Sequence, residues 1–229
     1  MKTLSLSIAS LIIAASAFAQ SSEKTKSAAA SANFPPVGDI HAHVCGIHFY
    51  SGNMSRQIIA EHYCAHLSDE VLQCIIYDSN KPGARLIGVE YIVSAKIFDA
   101  LPPEEKKLWH SHNYEVKSGV LTAPGMADVA EKDLMKVLIG TYGKTWHTWQ
   151  VDRGDKLPMG IPQLMMAFTA DGQAKANIVA ERDKLYGASA AKKTARADIA
   201  DAKVDSGADG WQKGAAVQLD LKTVQAAAQ

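Results

Sequence analysis

Apolar and polar residues alternate through Trp109-His110-Ser111-His112-Asn113-Tyr114-Glu115-Val116-Lys117-Ser118-Gly119, the two-residue period of an extended strand. Such a strand puts His110, His112, Tyr114 and Val116 on one face and a wet set, Ser111, Asn113, Glu115 and Lys117, on the other. Val71 to Asp78 and Ala84 to about Tyr91 are β-branched and apolar around the turn cluster Ser79-Asn80-Lys81-Pro82-Gly83, which predicts a hairpin. Thr145 to Val151 and Gln163 to Thr169 complete a set of five strands. His41 to Tyr50 reads as a further strand or loop at the start of the folded part. Helical spacing predicts helices from Asn53 or Ser55 to about Leu67, from Ser94 to Leu101, from Pro102 onward, from Asp128 to about Ile139 and from about Lys175 to Tyr186. Strands mixed with helices and joined by hairpin-length turns predict an α+β fold: a single domain with a largely antiparallel sheet of about five strands and flanking helices.

The two ends read differently from the middle. Lys2, an apolar run from Leu4 to Phe18 and the small residues around Ala19 predict a secretory leader over residues 1–19. Residues 20–33, rich in Ser, Ala and Lys, read as a flexible tether; residues 34–190 form the domain; residues 191–229 are an Ala/Lys/Asp-rich tail, partly docked through Trp211, Val217 and Leu219. The leader predicts an exported chain, periplasmic or secreted, and no later stretch reaches the length of a membrane span. With 24 basic and 24 acidic residues the chain has no field to attract nucleic acid or an anionic membrane. Of Cys45, Cys64 and Cys74, the nearest pair for a disulfide is Cys64 with Cys74; three small buried hydrophobes is the alternative.

Eight histidines sit among these elements. His147 shares a strand face with Thr145, Trp149 and Val151, so neighbouring strands would bring it near His110 and His112. Glu90 falls on an apolar strand face, where a carboxylate needs a partner or a raised pKa; it is either a functional group or half of a salt bridge. Glu90, His110, His112 and His147 are therefore the first candidates for a ligand or metal site. His41, His43 and Cys45 lie on one side of a strand at a spacing that suits a metal, or are incidental. His62 and His66, four apart on a helix, could hold zinc, but Glu61 precedes the pair and the HExxH order is absent, so histidines satisfied within the helix are the plainer reading. No nucleophile elbow, dinucleotide fingerprint or phosphate loop is present, and no cofactor class is fixed.

Five stretches carry a resemblance: His48-Phe49-Tyr50-Ser51-Gly52; His62-Tyr63-Cys64 with Gln73-Cys74 and Tyr77-Asp78; Arg85-Leu86-Ile87-Gly88-Val89-Glu90-Tyr91; Leu108-Trp109-His110-Ser111-His112; and Lys144-Thr145-Trp146-His147-Thr148-Trp149-Gln150. Together they resemble the oil body-associated protein family, a domain of unknown function, over about residues 40 to 220, with the leader marking a bacterial, secreted-type member. The resemblance implies a link to oil bodies and their stability, as in the plant members, leaves affinity for an apolar ligand or surface open, and carries no catalytic residues. It leads to a non-enzymatic binding protein for lipid or another apolar partner, contacting it through Trp146, Trp149, Met159, Met165 and Met166. The alternative is a metal-binding protein or metal-dependent hydrolase built on His110, His112 and His147 with Glu90. A purely structural role in an assembly is the third reading, with the oligomeric state open.

Overall fold

A computed structural model describes residues 34–214 and 216–226, so the expected leader and tether lie outside the described residues. The described part of a first unit, ending at Asp39, holds a short 3-10 turn over Val37–Asp39. From Ile40 onward the chain forms a second unit built on seven strands. These are β1 (Ala42–Tyr50), β2 (Asn53–Ser68), β3 (Val71–Tyr77), β4 (Leu86–Ser94), β5 (His110–Ser111), β6 (Thr141–His147) and β7 (Gln163–Met166). Six α-helices accompany them among the described residues: α1 (Ala95–Asp99), α2 (Pro103–Lys106), α3 (Asn113–Ser118), α4 (Asp128–Leu138), α5 (Ala176–Tyr186) and α6 (Ser189–Ala195).

The strands run β4-β3-β2-β1-β7-β6, every pair antiparallel, and β6 then pairs with β4 from Gly88↔His147 to Ser94↔Thr141. That last pairing closes six strands into a barrel and leaves no open edge between β4 and β6. The two-residue β5 pairs with β6 through His110↔Gly143 and stands outside the ring of six. The α+β expectation of about five strands with flanking helices is therefore corrected: the fold is mostly β, a closed barrel with one additional strand.

Two local misreadings lie behind that correction. The stretch expected as a helix from about residue 55 to 67 belongs to the sixteen-residue strand β2. Its inward residues Ile58, Ala60, His62 and Cys64 are buried, and so is the intervening Glu61, so the alternation is masked by cover on both sides. The stretch 109–119 is a strand only at His110–Ser111 and then turns into α3, which Gly119 ends in the left-handed conformation (φ 77°). A Cβ at Gly119 would also lie 2.3 Å from the Ser189 carbonyl oxygen, so the helix end and the approach of α6 both require glycine.

Alternation along each strand sets what faces inward. One end of the interior is apolar, with Tyr50, Ile58, Ala60, Ile76 and Met165 in one cluster. Toward the other end α3 and α4 pack Val116, Met135 and Leu138 against Val44 of β1. Outside the barrel, Ile47 and Phe49 are covered by Phe168, Ile178 and Trp211. Cys64 and Cys74, directly opposite on β2 and β3, form a disulfide, and Cys45 is a buried free thiol.

Candidate metal centre

Between these apolar ends the barrel buries a carboxylate among imidazoles. The register runs Cys64↔Cys74↔Glu90↔Thr145 across β2, β3, β4 and β6, and Val44↔His62 across β1 and β2, so His62 lies two residues along β2 from the position level with Glu90. His48, one of the last inward residues of β1, and His110, on β5, reach in from the other side. Glu90 Oε2 lies 2.8 Å from His62 Nε2 and 3.8 Å from His48 Nε2; Glu90 Oε1 lies 3.3 Å from His112 Nε2 and 3.4 Å from His110 Nε2. All five side chains are at most 5% exposed. The approach depends on Gly143 of β6, where a Cβ would fall 2.0 Å from Glu90 Oε1 and 2.6 Å from His110 Nε2.

The hydrogen bonds assign two of the ring tautomers. His62 Nδ1 donates to the Val44 carbonyl oxygen at 3.2 Å. His112 Nδ1 donates to Thr141 Oγ1 at 2.8 Å, while that hydroxyl donates onward to Leu138 O at 2.7 Å. In a neutral imidazole the nitrogen opposite the N–H carries a bare lone pair. Both rings therefore turn an Nε2 lone pair toward a carboxylate oxygen. Two lone pairs repel unless a positive charge stands between them, either a proton that makes imidazolium or a metal ion.

Burial and neighbours set the protonation states. Burial pushes Glu90 upward, but the imidazoles packed around it, His62 foremost, outweigh it and hold the carboxyl well below its usual range. Burial lowers His48 and His112, and brings His147 down to about 3, so these three are neutral imidazoles near neutral pH. Burial also presses His110 down, but Glu90 carries it above its ordinary value. His62 Nε2, both nitrogens of His110 and His147 Nδ1 are buried without a properly aligned hydrogen-bond partner among the described residues. One ionised carboxylate among mostly neutral imidazoles is the protonation state that a metal demands of its ligands.

His48, Glu90 and His110 offer ligand atoms that all lie within 4.8 Å of one another. His110, His112 and Glu115 form a second such set. Glu115, on α3, is 2% exposed, and burial pushes its carboxyl up to about 8. Above the cluster a small cavity of about 30 Å³, enough for a water molecule or an ion, is walled by Val44, Leu72, Ile92, Leu121, Leu134 and Leu138. The site is a polar floor under an apolar mouth.

Of the residues singled out in the sequence, Glu90, His110 and His112 are in direct contact, and His62 joins them from β2. His147 stands one step away, with its Nε2 3.3 Å from His48 Nδ1. The others lie elsewhere. His41 and His66 stack on the surface, Nε2 to Nδ1 2.9 Å. His43 pairs with Glu61 at 2.8 Å, to which Tyr186 also donates, and Cys45 is sealed on the outer face with its thiol pushed up by burial. Sequence reasoning had not chosen His48 or Glu115. His48 follows Val44 and Gly46 at even spacing, which is the signal that marks it as inward once β1 is a strand. Glu115 was assigned to a wet strand face, and only the helix stop at Gly119 betrays that the strand has ended.

A family model described as Protein of unknown function (DUF1264) matches residues 34–200. The chain belongs to this family. Its curated relatives carry the oil body-associated name: protein 1A of Zea mays is 51% identical over 68% of this chain and 66% of its own length. Protein 1B of Arabidopsis thaliana is 52% identical over 71% and 67%, and protein 2A of Zea mays 47% identical over 84% and 79%. The chain thus spans just under two thirds of the first of these relatives. The expectation of an exported, periplasmic or secreted protein is overturned by them, because they are plant proteins named for association with oil bodies. No solved structure matches. No helix among the described residues is long and apolar enough to cross a membrane.

Proposed function

We propose that the barrel is a binding module for a first-row divalent transition metal, held by Glu90 with the imidazoles of His48, His62, His110 and His112. The observation that carries this reading is the pair of anchored tautomers. His62 and His112 each commit Nδ1–H to an oxygen and aim Nε2 at Glu90, the arrangement in which outer hydrogen bonds orient metal-binding histidines. Imidazole suits zinc, copper, iron and nickel, and two imidazoles with one carboxylate form the donor set of non-haem ferrous centres. Metal analysis of protein purified without chelator, followed by Co2+ titration of the stripped chain, tests it. A bound equivalent that Glu90→Gln abolishes supports the reading. Stripped protein that takes up no Co2+ refutes it.

A second reading concerns the partner. The relatives' names and the apolar mouth over the cluster favour a lipid or another apolar ligand that docks at Leu72, Ile92, Leu134 and Leu138. The Trp and Met set expected from the sequence contributes little, because Met165 and Met166 are wholly buried and only Met159 is largely exposed. Native mass spectrometry for retained lipid and flotation with triacylglycerol droplets test this reading. Clean protein that stays at the bottom of the gradient removes it.

A further inference from the structure

We infer that the barrel binds two metal ions, with His110 shared between a set at Glu90 and a second set at Glu115. The inference rests on the metal reading above, moves His112 from the Glu90 set to the Glu115 set, and adds a second ion, a new ligand from a helix and a bridging role for His110.

Three observations carry it. First, the two groups of mutually close ligand atoms, His48-Glu90-His110 and His110-His112-Glu115, overlap in His110. Second, His110 is fully buried and neither ring nitrogen has an aligned hydrogen bond among the described residues, Nε2 only standing 3.4 Å from Glu90 Oε1, whereas His62 and His112 each anchor Nδ1 on an oxygen. A neutral ring always has an N–H to satisfy, so a buried imidazole free on both sides is suited to serve two neighbours. Third, Glu115 is a carboxyl only 2% exposed whose ligand atom falls in the second of those groups. It comes from α3 rather than from the barrel wall. Burial disfavours the ionised form of this carboxyl, and a cation at this point would favour it. A second ion takes Glu115 as its carboxylate and, if both nitrogens of His110 coordinate, the His110 ring N–H proton leaves as well, so uptake releases to solvent the His110 proton and whatever proton Glu115 carries.

The experiment is a Co2+ titration of the metal-stripped full chain, read by elemental analysis after desalting and by calorimetry in two buffers of different ionisation enthalpy. It uses a His66→Ala background, which breaks the exposed His41–His66 pair as an adventitious site. Two ions per chain are expected, falling to one in Glu115→Gln with the remaining ion held as tightly as before. Circular dichroism checks that this isosteric variant is folded. One ion in both proteins overturns the second site and leaves the Glu90 site standing. No ion in either refutes both readings, and two ions retained in Glu115→Gln overturn the assignment to Glu115.

Discussion

Gly143 illustrates how little room the centre leaves. Its missing side chain is replaced by Glu90 Oε1 and His110 Nε2, which a Cβ would meet at 2.0 and 2.6 Å. Both groups are confined by their neighbours, so Gly143→Ala is expected to destabilise the fold by about 1–3 kcal/mol, the usual cost of overpacking. Co2+ affinity should fall in the same variant; denaturant unfolding and titration check the two effects separately. At the far end of the interior, Asp152 accepts a hydrogen bond from the Tyr50 hydroxyl at 2.5 Å and two from Arg56 at 2.7 and 2.8 Å. Burial raises the Asp152 carboxyl, but Arg56 and Tyr50 outweigh that and hold it below the ordinary aspartate value. A folded-state pKa below the unfolded one gives stability that is fully present above the unfolded value near 4 and lost as pH falls through the folded value. Asp152→Asn is therefore expected to cost about 1–3 kcal/mol at pH 7, with the gap to the parent protein closing below pH 4 in urea unfolding curves.

At the scale of elements, the hairpin of β2 and β3 holds His62 against Glu90 and is fastened by the Cys64–Cys74 bridge. The bridged residues are 10 apart in sequence, and a loop that short contributes about 2–3 kcal/mol by the chain-entropy argument. Replacing both cysteines with alanine is expected to lower stability by about that amount, and added reductant should then leave the unfolding midpoint of the variant unchanged. The hairpin of β3 and β4 was legible in the sequence because its turn residues and its β-branched runs agree. So were α4 and α5, whose ends fall within a residue or so of the expected ones. The strand β2 was not legible: Ile59, Tyr63 and Leu67 recur every four residues by coincidence, while His62 and Glu61 on opposite faces are both buried and erase the polar alternation that marks a half-exposed strand. The start of α3 was hidden for the opposite reason. Asn113 to Ser118 alternate in polarity like a strand, so a buried Glu115 was given to solvent. Glu90, His110 and His112 could be singled out because a titratable group on an apolar face needs an explanation in any fold. His48 could not, since its importance comes from the strand opposite.

The scale of the whole molecule decides when the centre can exist. Its donors come from β1, β2, β4, β5 and the start of α3, and the ring that holds them is complete only when β6 has paired with β4 and β7 has joined β6 to β1. An unfolded chain scatters those imidazoles, so on the proposed reading a metal ion would bind the closed barrel far better than the open chain, and binding would become folding free energy. At a free ion concentration a hundredfold above the dissociation constant, the gain is about 2.7 kcal/mol. For a chain of this size each kcal/mol moves the melting temperature by about 2–4 °C, which gives an expected rise of about 5–10 °C. Differential scanning calorimetry of the stripped protein with increasing Co2+ would show it, and the shift should keep growing with ion concentration after the site is saturated, because mass action continues to disfavour the unfolded state. Glu90→Gln should remove most of the shift, whereas His43→Ala, which breaks an outer-face pair with Glu61, should lower the melting temperature but leave the Co2+ response intact. A melting temperature indifferent to Co2+ in the parent protein would mean that the imidazoles around Glu90 share protons rather than an ion. The cluster would then be a buried polar core that fixes how the barrel closes.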